Sequence, residues 1–155
     1  MQKVLDVCCG SRMFWFDHEN KDVIYGDQRI HTETLCDGRL LEIKPDLQLD
    51  FRDLPFKNDY FRVVVFDPPH LKNAGPKSWQ AAKYGKLSST WQNDLRQGFS
   101  ECFRVLATNG VLIFKWNETQ IPTREILALT SQKPLVGHIS GKRSSTHWIT
   151  FLKGE

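Results

Sequence analysis

Four aspartates lie at or near the carboxyl ends of predicted buried strands, and their placement indicates one binding crevice. They are Asp6, Asp27, Asp50 and Asp67. Because ligands of an open parallel sheet bind beyond the carboxyl ends of its strands, these carboxylates are expected to line a common crevice. An acid at a strand end can also simply cap the following turn. For any one aspartate the two explanations are about equally good, and four in series favour a site.

Carboxylates in such a crevice are suited to binding a nucleoside. Gly10 follows the first strand and would let the backbone approach a ligand closely. The residues around it do not form the GxGxxG clamp that binds a dinucleotide phosphate. Asp27 lies about 20 residues after Asp6, the spacing at which an acid reaches ribose hydroxyls. Carboxylates for hydroxyls and an amino group, without a phosphate clamp, suit a nucleoside that lacks a diphosphate.

Alternating strands and helices must position these residues. Near-continuous apolar runs predict strands over Lys3–Val7, Asp22–Gly26, Leu47–Leu49, Arg62–Phe66, Val111–Trp116, Leu135–Ile139 and His147–Leu152. Such runs suit a parallel sheet that is covered on both faces. The predicted fold class is therefore α/β, with a Rossmann-like, doubly wound and mostly parallel sheet.

Helices and a hairpin are predicted between the strands. An apolar stripe at three- and four-residue steps indicates a helix over Thr90–Ala107, and a shorter helix is predicted over Thr123–Leu129. The segment after Gly10 has room for a brief helix only. The pair Asp37-Gly38 between apolar residues indicates a hairpin or loop, with a helix as an equal alternative.

Composition places few limits on function. The 155 residues fit one domain over 1–155. No apolar run approaches the ~20 residues of a membrane helix, and the start of the chain has no apolar signal region, so a cytoplasmic protein is expected. The cysteines lack metal-ligand spacing, and neither a metal site nor a disulfide is expected. A net charge of +3 permits an anionic partner without requiring one.

Four segments resemble, in order, the motifs of class I S-adenosylmethionine-dependent methyltransferases. VLDVCCGS resembles their first strand with its acid and glycine turn. DFRDLPFKNDYFRVVVFD resembles the segment from the adenine-binding acid into the fourth strand, and RVLATNGVLIFKW the helix, turn and fifth strand. DPPH resembles the [D/N/S]-P-P-[aromatic] motif of the N6-adenine type branch, which methylates amino groups. The resemblance covers Lys3 to about Leu152 and implies a minimal seven-stranded methyltransferase fold.

The resemblance also implies roles for individual residues. The methionine part of S-adenosylmethionine would lie against the first turn, and Asp27 would hold the ribose hydroxyls. Asp50 would accept from the adenine amino group, with the Phe51 N–H on a ring nitrogen. The implied cofactor residues are Asp6, Cys8, Cys9, Gly10, Ser11, Asp27, Asp50, Phe51 and Asp67, and the implied catalytic residues are Asp67, Pro68, Pro69 and His70.

The DPPH turn suits methylation of an exocyclic amine. The lone pair of such a nitrogen is delocalised into the ring, and hydrogen bonds accepted from its N–H groups favour a pyramidal nitrogen that frees it. Asp67 and the Pro68 carbonyl could accept these bonds, since proline removes the competing backbone donor. His70 could stack on the ring. Asp-Pro-Pro is also a plausible strand stop, and the other three motifs favour the catalytic interpretation.

A lysine- and aromatic-rich segment, 71–91, follows the motif. Lysines for phosphates and aromatic rings for bases are the means of binding single-stranded nucleic acid. The candidate substrate residues are Lys72, Lys77, Trp79, Lys83, Tyr84 and Lys86. A solvated loop anchored by two aromatic residues is an equally good explanation.

Several other polar and aromatic residues carry weaker expectations. Lys115 lies within the fifth apolar run and could pair with Asp67 in the crevice, although such a lysine more often reaches out from a strand end. Trp148 and Phe151 are expected in the core. A basic patch of Lys142, Arg143 and His147 could extend the nucleic-acid surface or be an ordinary turn.

These observations predict a methyltransferase that uses S-adenosylmethionine and no metal. The expected acceptor is an exocyclic amino nitrogen of a nucleobase, adenine N6 in DNA first, with nucleic acid as partner. RNA guanine N2 or adenine N6, cytosine N4, and a small molecule or free nucleotide stay open. The rival from another class is a catalytically weak nucleic-acid-binding module with the same fold. A nicotinamide-dependent oxidoreductase is disfavoured by the absent phosphate-binding glycines.

Overall fold

A computed structural model describes residues 3–139 and 145–155 and shows a seven-stranded sheet flanked by helices and a hairpin. The elements are β1 (Val4–Asp6), β2 (Val23–Asp27), β3 (His31–Thr34), β4 (Leu40–Ile43), β5 (Leu47–Gln48), β6 (Phe61–Phe66), α1 (Trp79–Tyr84), α2 (Trp91–Val105), β7 (Leu106–Asn117), α3 (Thr123–Leu127), β8 (Val136–Ile139) and β9 (Thr146–Leu152).

The sheet has the order β5-β2-β1-β6-β7-β9-β8, in which β9 runs antiparallel to both of its neighbours and the pairs from β5 to β7 are parallel. The chain moves outward from β1 to β2 and β5 and then returns to the other side of β1 as β6. This reversal creates a switch point between β1 and β6, where ligands of doubly wound sheets bind. The predicted fold class is confirmed.

The helix α2 supplies the main buried face. It places Leu95, Phe99 and Cys102 against the strands β6 and β7, and all three are almost fully buried. The helix ends at Val105 rather than at the predicted Ala107, because Leu106 is already extended and begins β7 opposite Phe61. One long apolar stripe thus covers the strands that precede and follow it.

Among the described residues, no long helix covers the opposite face of the sheet. The segment after Gly10, which has room for a brief helix only, forms turns, and Arg12 there has a φ of 61°. The hairpin alternative is confirmed, since β3 and β4 pair antiparallel around Asp37 and Gly38. Turns and a hairpin therefore take the place of covering helices beside β2.

Two further differences concern short helices. The six-residue α1 lies inside the segment expected to be a loop, and its apolar stripe is too short to be recognised by periodicity. The helix α3 begins after Pro122 and ends at Leu127, two residues before the predicted end. No helix within the described ranges is long and apolar enough to cross a membrane. Lys142 and Arg143 lie outside the described residues, so the structure does not test that patch.

Candidate functional site

A cavity of about 400 Å³ lies at the carboxyl ends of the central strands. It contains most of the residues predicted from the sequence, namely Asp6, Cys8, Cys9, Gly10, Ser11, Asp27, Phe51, Asp67, Pro69, Lys83, Tyr84 and Lys86. The turn after β1, the end of β2 and the DPPH turn thus meet in one place. Other predicted residues do not line this cavity: Asp50, Pro68, His70, Lys72, Lys77 and Trp79.

The turn after β1 is held by two aspartates. Asp6 accepts hydrogen bonds from the Cys8 N–H at 3.1 Å and from the Trp15 indole N–H at 2.7 Å. Asp27 accepts from the Gly10 N–H at 2.8 Å. Gly10 has a φ of 50°, which side chains rarely adopt, and it lets this N–H face the carboxylate. The acids therefore shape the turn as well as the cavity.

Burial controls the protonation of this turn. Desolvation raises the pKa of Asp6 to about 7, against the opposing hydrogen bonds from Trp15 and Cys8, and the nearby Asp67 and Asp27 raise it further. Burial likewise raises the pKa of the Cys8 and Cys9 thiols, so both stay protonated at neutral pH. The turn therefore offers neutral thiols and a carboxyl group close to its titration point.

Asp27 has a second partner that links it to α1. Its other oxygen accepts from the Arg29 N–H at 2.9 Å, and the Arg29 guanidinium donates to the Ala82 and Lys83 carbonyls at 2.8 and 3.0 Å. These carbonyls belong to the last turn of α1, where a cation is favourable. Sequence reasoning did not single out Arg29, although a cation two residues after a binding aspartate was a usable signal.

Asp50 lies away from the cavity. Its carboxylate forms an ion pair with Arg52 at 2.6 Å, and Arg52 holds the pKa of Asp50 below its ordinary value. Arg52 also contacts Asp94 at the start of α2. Phe51 does line the cavity and packs edge-on against Phe66. An adenine-binding role for Asp50 stays a prediction, and it would require the carboxylate to share its oxygens with Arg52.

Asp67 and Lys115 form a pair across neighbouring strands. The Lys115 Nζ lies 3.4 Å from an Asp67 oxygen, and both side chains line the cavity. Burial raises the pKa of Asp67, while the Lys115 ammonium lowers it. Of the possibilities considered for Lys115, pairing with Asp67 is the one that the structure shows, and the more usual course of reaching out from the strand end is not followed. The acid that starts the DPPH turn is thus held beside a cation in a partly buried site.

Aromatic rings surround the Lys115 ammonium. Its Nζ lies 5.5 Å from the centre of the Tyr84 ring and 5.3 Å from that of Trp148, within cation–π range. Trp148 faces Lys115 directly in the β7–β9 register and lines the cavity with Phe14. The expectation that Trp148 belongs to the core was wrong, whereas Phe151 is buried there. Side chains along β9 alternate between the two faces of the sheet, so these two residues, three positions apart, point to opposite faces.

His70 lies beside this aromatic group. Its ring centre is 5.7 Å from that of Tyr84 and 6.3 Å from that of Trp116. Burial, with a smaller effect of Lys115, lowers the pKa of His70 to about 4. The imidazole is therefore neutral at pH 7, and as a flat uncharged ring it is able to stack.

The segment after the motif is divided between surface and interior. Lys72, Lys77 and Lys86 are exposed, and Trp79 is about half exposed. Lys83 is buried. Gly85 ends α1 with a φ of 78°, and a Cβ there would lie 3.2 Å from the Pro69 ring. A glycine thus allows α1 to pack on the DPPH turn and to close one side of the cavity.

The described residues contain no group of three or more His, Cys, Asp or Glu side chains placed to hold a metal ion. The polar groups of the cavity are instead carboxylates, backbone N–H groups and ammonium groups, enclosed by aromatic rings. This combination is able to bind an organic ligand that carries hydroxyl, amino and ring groups.

Comparison with known proteins supports the fold assignment. No protein-family profile and no curated protein sequence matches the chain. Among solved structures, a protein from Pyrococcus horikoshii OT3 matches with a TM-score of 0.60 and 16% identity, over 97% of this chain and 81% of its own. A S-adenosylmethionine-dependent methyltransferase from Methanosarcina mazei matches with a TM-score of 0.58 and 12% identity, over 99% of this chain and 94% of its own.

A third structure with this fold has a different named activity. The (4+2)-cyclase SpnF matches with a TM-score of 0.53 and 10% identity, over 98% of this chain and 74% of its own. At these identities the similarity shows the fold, which this chain shares with S-adenosylmethionine-dependent methyltransferases. The chemistry has to be argued from the cavity.

Proposed function

We propose that this protein is a methyltransferase that uses S-adenosylmethionine and methylates an exocyclic amino nitrogen of a nucleobase, with adenine N6 in DNA as the first candidate. The observation that carries the proposal is the Asp67–Lys115 pair, which lies on the wall of a cavity at the switch point. In the sequence, Asp67 is followed directly by two prolines and by His70, whose imidazole is neutral. The shared fold and the four motifs support it.

The residues of the cavity fit this cofactor. A volume of about 400 Å³ lies within the range of small-molecule sites. Asp27 already accepts two backbone N–H bonds and a longer one from the Arg29 Nε, yet a carboxylate has about four acceptor positions, so one remains for a ribose hydroxyl. The turn Cys8–Ser11 borders the place of the methionine part, and Phe51 offers a ring beside the adenine. When bound, S-adenosylmethionine supplies a methyl group on a sulfonium that a nucleophile can displace.

The DPPH turn prepares the accepting nitrogen. Asp67 accepts one N–H of the amine and the Pro68 carbonyl accepts the other, which frees the nitrogen lone pair for attack on the methyl group. Lys115 favours the charged form of Asp67 against the effect of burial. Tyr84 lines the cavity and His70 lies beside it at a ring distance of 5.7 Å, so the flat ring would be held at this edge of the cavity, next to α1. The contribution of the protein is positioning and electrostatics, and the nitrogen, which is acidic once methylated, would lose its proton to Asp67 or to solvent.

The test is incubation with labelled S-adenosylmethionine and separate pools of DNA, RNA and nucleotides, followed by nucleoside mass analysis. Methylated adenine in DNA is expected. Asp67→Ala should lower the rate about 100-fold or more, because the variant has no side-chain acceptor for the amine N–H. Asp22→Asn, which removes an exposed carboxylate paired with Lys3, should leave the rate unchanged.

Each alternative gives a distinct result in this assay. Label confined to RNA or to free nucleotides would replace the DNA assignment and keep the chemistry. Nucleic-acid binding without turnover, together with no calorimetric heat at high micromolar cofactor, would support the binding module instead. Label found only in protein would contradict the nucleobase assignment.

A further inference from the structure

Lys83 is a buried lysine at the meeting point of two cavities. Only 9% of its surface is exposed, and it lines both the cavity described above and a second cavity of about 610 Å³. The two cavities also share Gly10, Ser11 and Met13. This location differs from that of the exposed lysines of segment 71–91, so a simple contact with nucleic-acid phosphates at the surface does not describe it.

The Lys83 ammonium has no anionic partner within the described residues. Its Nζ lies 5.1 Å from the centre of the Trp79 ring, and it forms no ion pair and no hydrogen bond with an acceptor in that part of the chain. The Lys83 charge has a small effect on Asp37. That exposed carboxylate is bound by Arg39, whose hydrogen bond is the main cause of the lowered pKa of Asp37. The residue is largely buried, but its Nζ is not among the fully enclosed polar atoms, so this unpaired charge is open to the two cavities that Lys83 lines.

The acids of the second cavity do not supply the missing partner. Glu19 and Asp46 lie 3.3 and 3.1 Å from the Arg12 guanidinium and share it as their partner. Arg39 and Lys44 add positive charge to the same lining, and Glu42 is the remaining acid there among the described residues. The Ser11 hydroxyl forms no hydrogen bond in the described part of the chain and adds a donor to the junction.

We propose that Lys83 binds an oxyanion at the junction of the two cavities, so that the second cavity is an anion-binding extension of the first. A carboxylate or a phosphate would supply both the charge and the hydrogen-bond acceptors that the ammonium lacks. The oxyanion has two possible sources, the carboxylate of the cofactor and a phosphate of the methyl acceptor. Both sources rest on the proposed function, but binding of a nucleotide phosphate can be measured without any methyl transfer.

Two ligand pairs separate these sources by calorimetry. S-adenosylmethionine and its decarboxylated form differ only in the carboxylate, and 2′-deoxyadenosine 5′-monophosphate and deoxyadenosine differ only in the phosphate. In the wild type, the member of one pair that carries the carboxylate or phosphate is expected to bind about tenfold more tightly or better, as for a hydrogen bond between charged groups. Lys83→Met should abolish that preference without weakening the binding of the member that lacks the oxyanion. Lys83→Arg should retain the preference.

The controls keep folding and total charge out of the result. Lys133→Met removes an exposed lysine far along the chain and should leave both preferences unchanged. If Lys83→Met does not fold by circular dichroism, Lys83→Gln replaces it. An equal preference in wild type and variant for both pairs would overturn the proposal. If neither S-adenosylmethionine nor its decarboxylated form binds the wild type, the proposed function is wrong, and the nucleotide pair still tests the role of Lys83. If the wild type shows no preference for the oxyanion in either pair, the proposal for Lys83 is rejected.

Discussion

The two faces of the sheet are built from alternate residues of the same strands, and they differ in how they are covered. On one face, α2 packs Phe99 against Phe66 and Phe114 at ring distances of 5.4 and 4.8 Å. On the other face, turns take the place of a long helix, and Lys115 and Trp148 face the cavity. The helix-covered face provides the buried apolar area, and the turn-covered face leaves room for charged groups and a ligand.

The strand β7 shows how closely the two environments are joined. Phe114 and Trp116 are almost fully buried on the α2 face, and Lys115 between them points to the other side. Successive side chains of a strand point to opposite faces. Lys115, a charged residue of the cavity, therefore lies between two residues that are fixed in the core, and their packing limits the movement of its backbone.

The largest effect is expected from Phe99→Ala on the helix-covered face. Phe99 is 1% exposed and contacts several aromatic rings, so the variant should lower the free energy of unfolding by about 4 kcal/mol. Leu41→Ala in the small cluster of the hairpin should cost only about 2 kcal/mol, because fewer neighbours surround that residue. Chemical denaturation measures both values. A larger loss for Leu41→Ala would refute the unequal division of stability between the faces.

The helix-covered face was largely predictable from the sequence, because its evidence is local. The apolar stripe of α2 and the strand runs depend on residue spacing within one element, and the Asp37-Gly38 pair is a recognised turn signal. The crevice acids also follow from strand ends and sheet topology. These features need no knowledge of the register between distant strands.

The turn-covered face was less predictable, because its evidence is non-local. The exposure of Trp148 to the cavity depends on the register that places it opposite Lys115. The burial of Lys83 depends on α1, which spans six residues and lacks a long stripe. Asp50 matches the position of the adenine-binding acid in the motif, yet its carboxylate forms an ion pair with Arg52. Pairings of this kind are decided by tertiary contacts rather than by composition or period.

The next effect concerns pH and the buried carboxyl group on the turn-covered face. The pKa of Asp6 is about 7 in the folded protein and near 3.8 in the unfolded chain, so between these values the folded state holds a proton that the unfolded state has lost. Stability contributed by this group therefore falls as pH rises. Compared with Asp6→Asn, the wild type should lose about 2 kcal/mol between pH 5 and pH 7.

Urea denaturation at several pH values measures this difference. Asp6→Asn is the suitable reference because the amide keeps an oxygen that can accept from the Trp15 indole, while its own protonation no longer changes. Asp22→Asn, at an exposed site, should show the same pH dependence as the wild type. Parallel stability curves for the wild type and Asp6→Asn would show that the Asp6 carboxyl titrates normally.

The smallest effect separates two contributions of Arg12, the residue that covers β2 in place of a helix. Its guanidinium lies 4.0 Å from the centre of the Tyr25 ring and donates to the His18 and Lys44 carbonyls, whereas its φ of 61° is unfavourable for a side chain. Arg12→Ala removes the contacts and keeps the strain, so it should cost about 1.5 kcal/mol. Arg12→Gly removes both and should recover about 1 kcal/mol of that loss. Unfolding both variants in urea measures the difference. If Arg12→Gly proves less stable than Arg12→Ala, the positive φ at this turn carries no energetic cost, and the side-chain contacts of Arg12 alone hold the segment on β2.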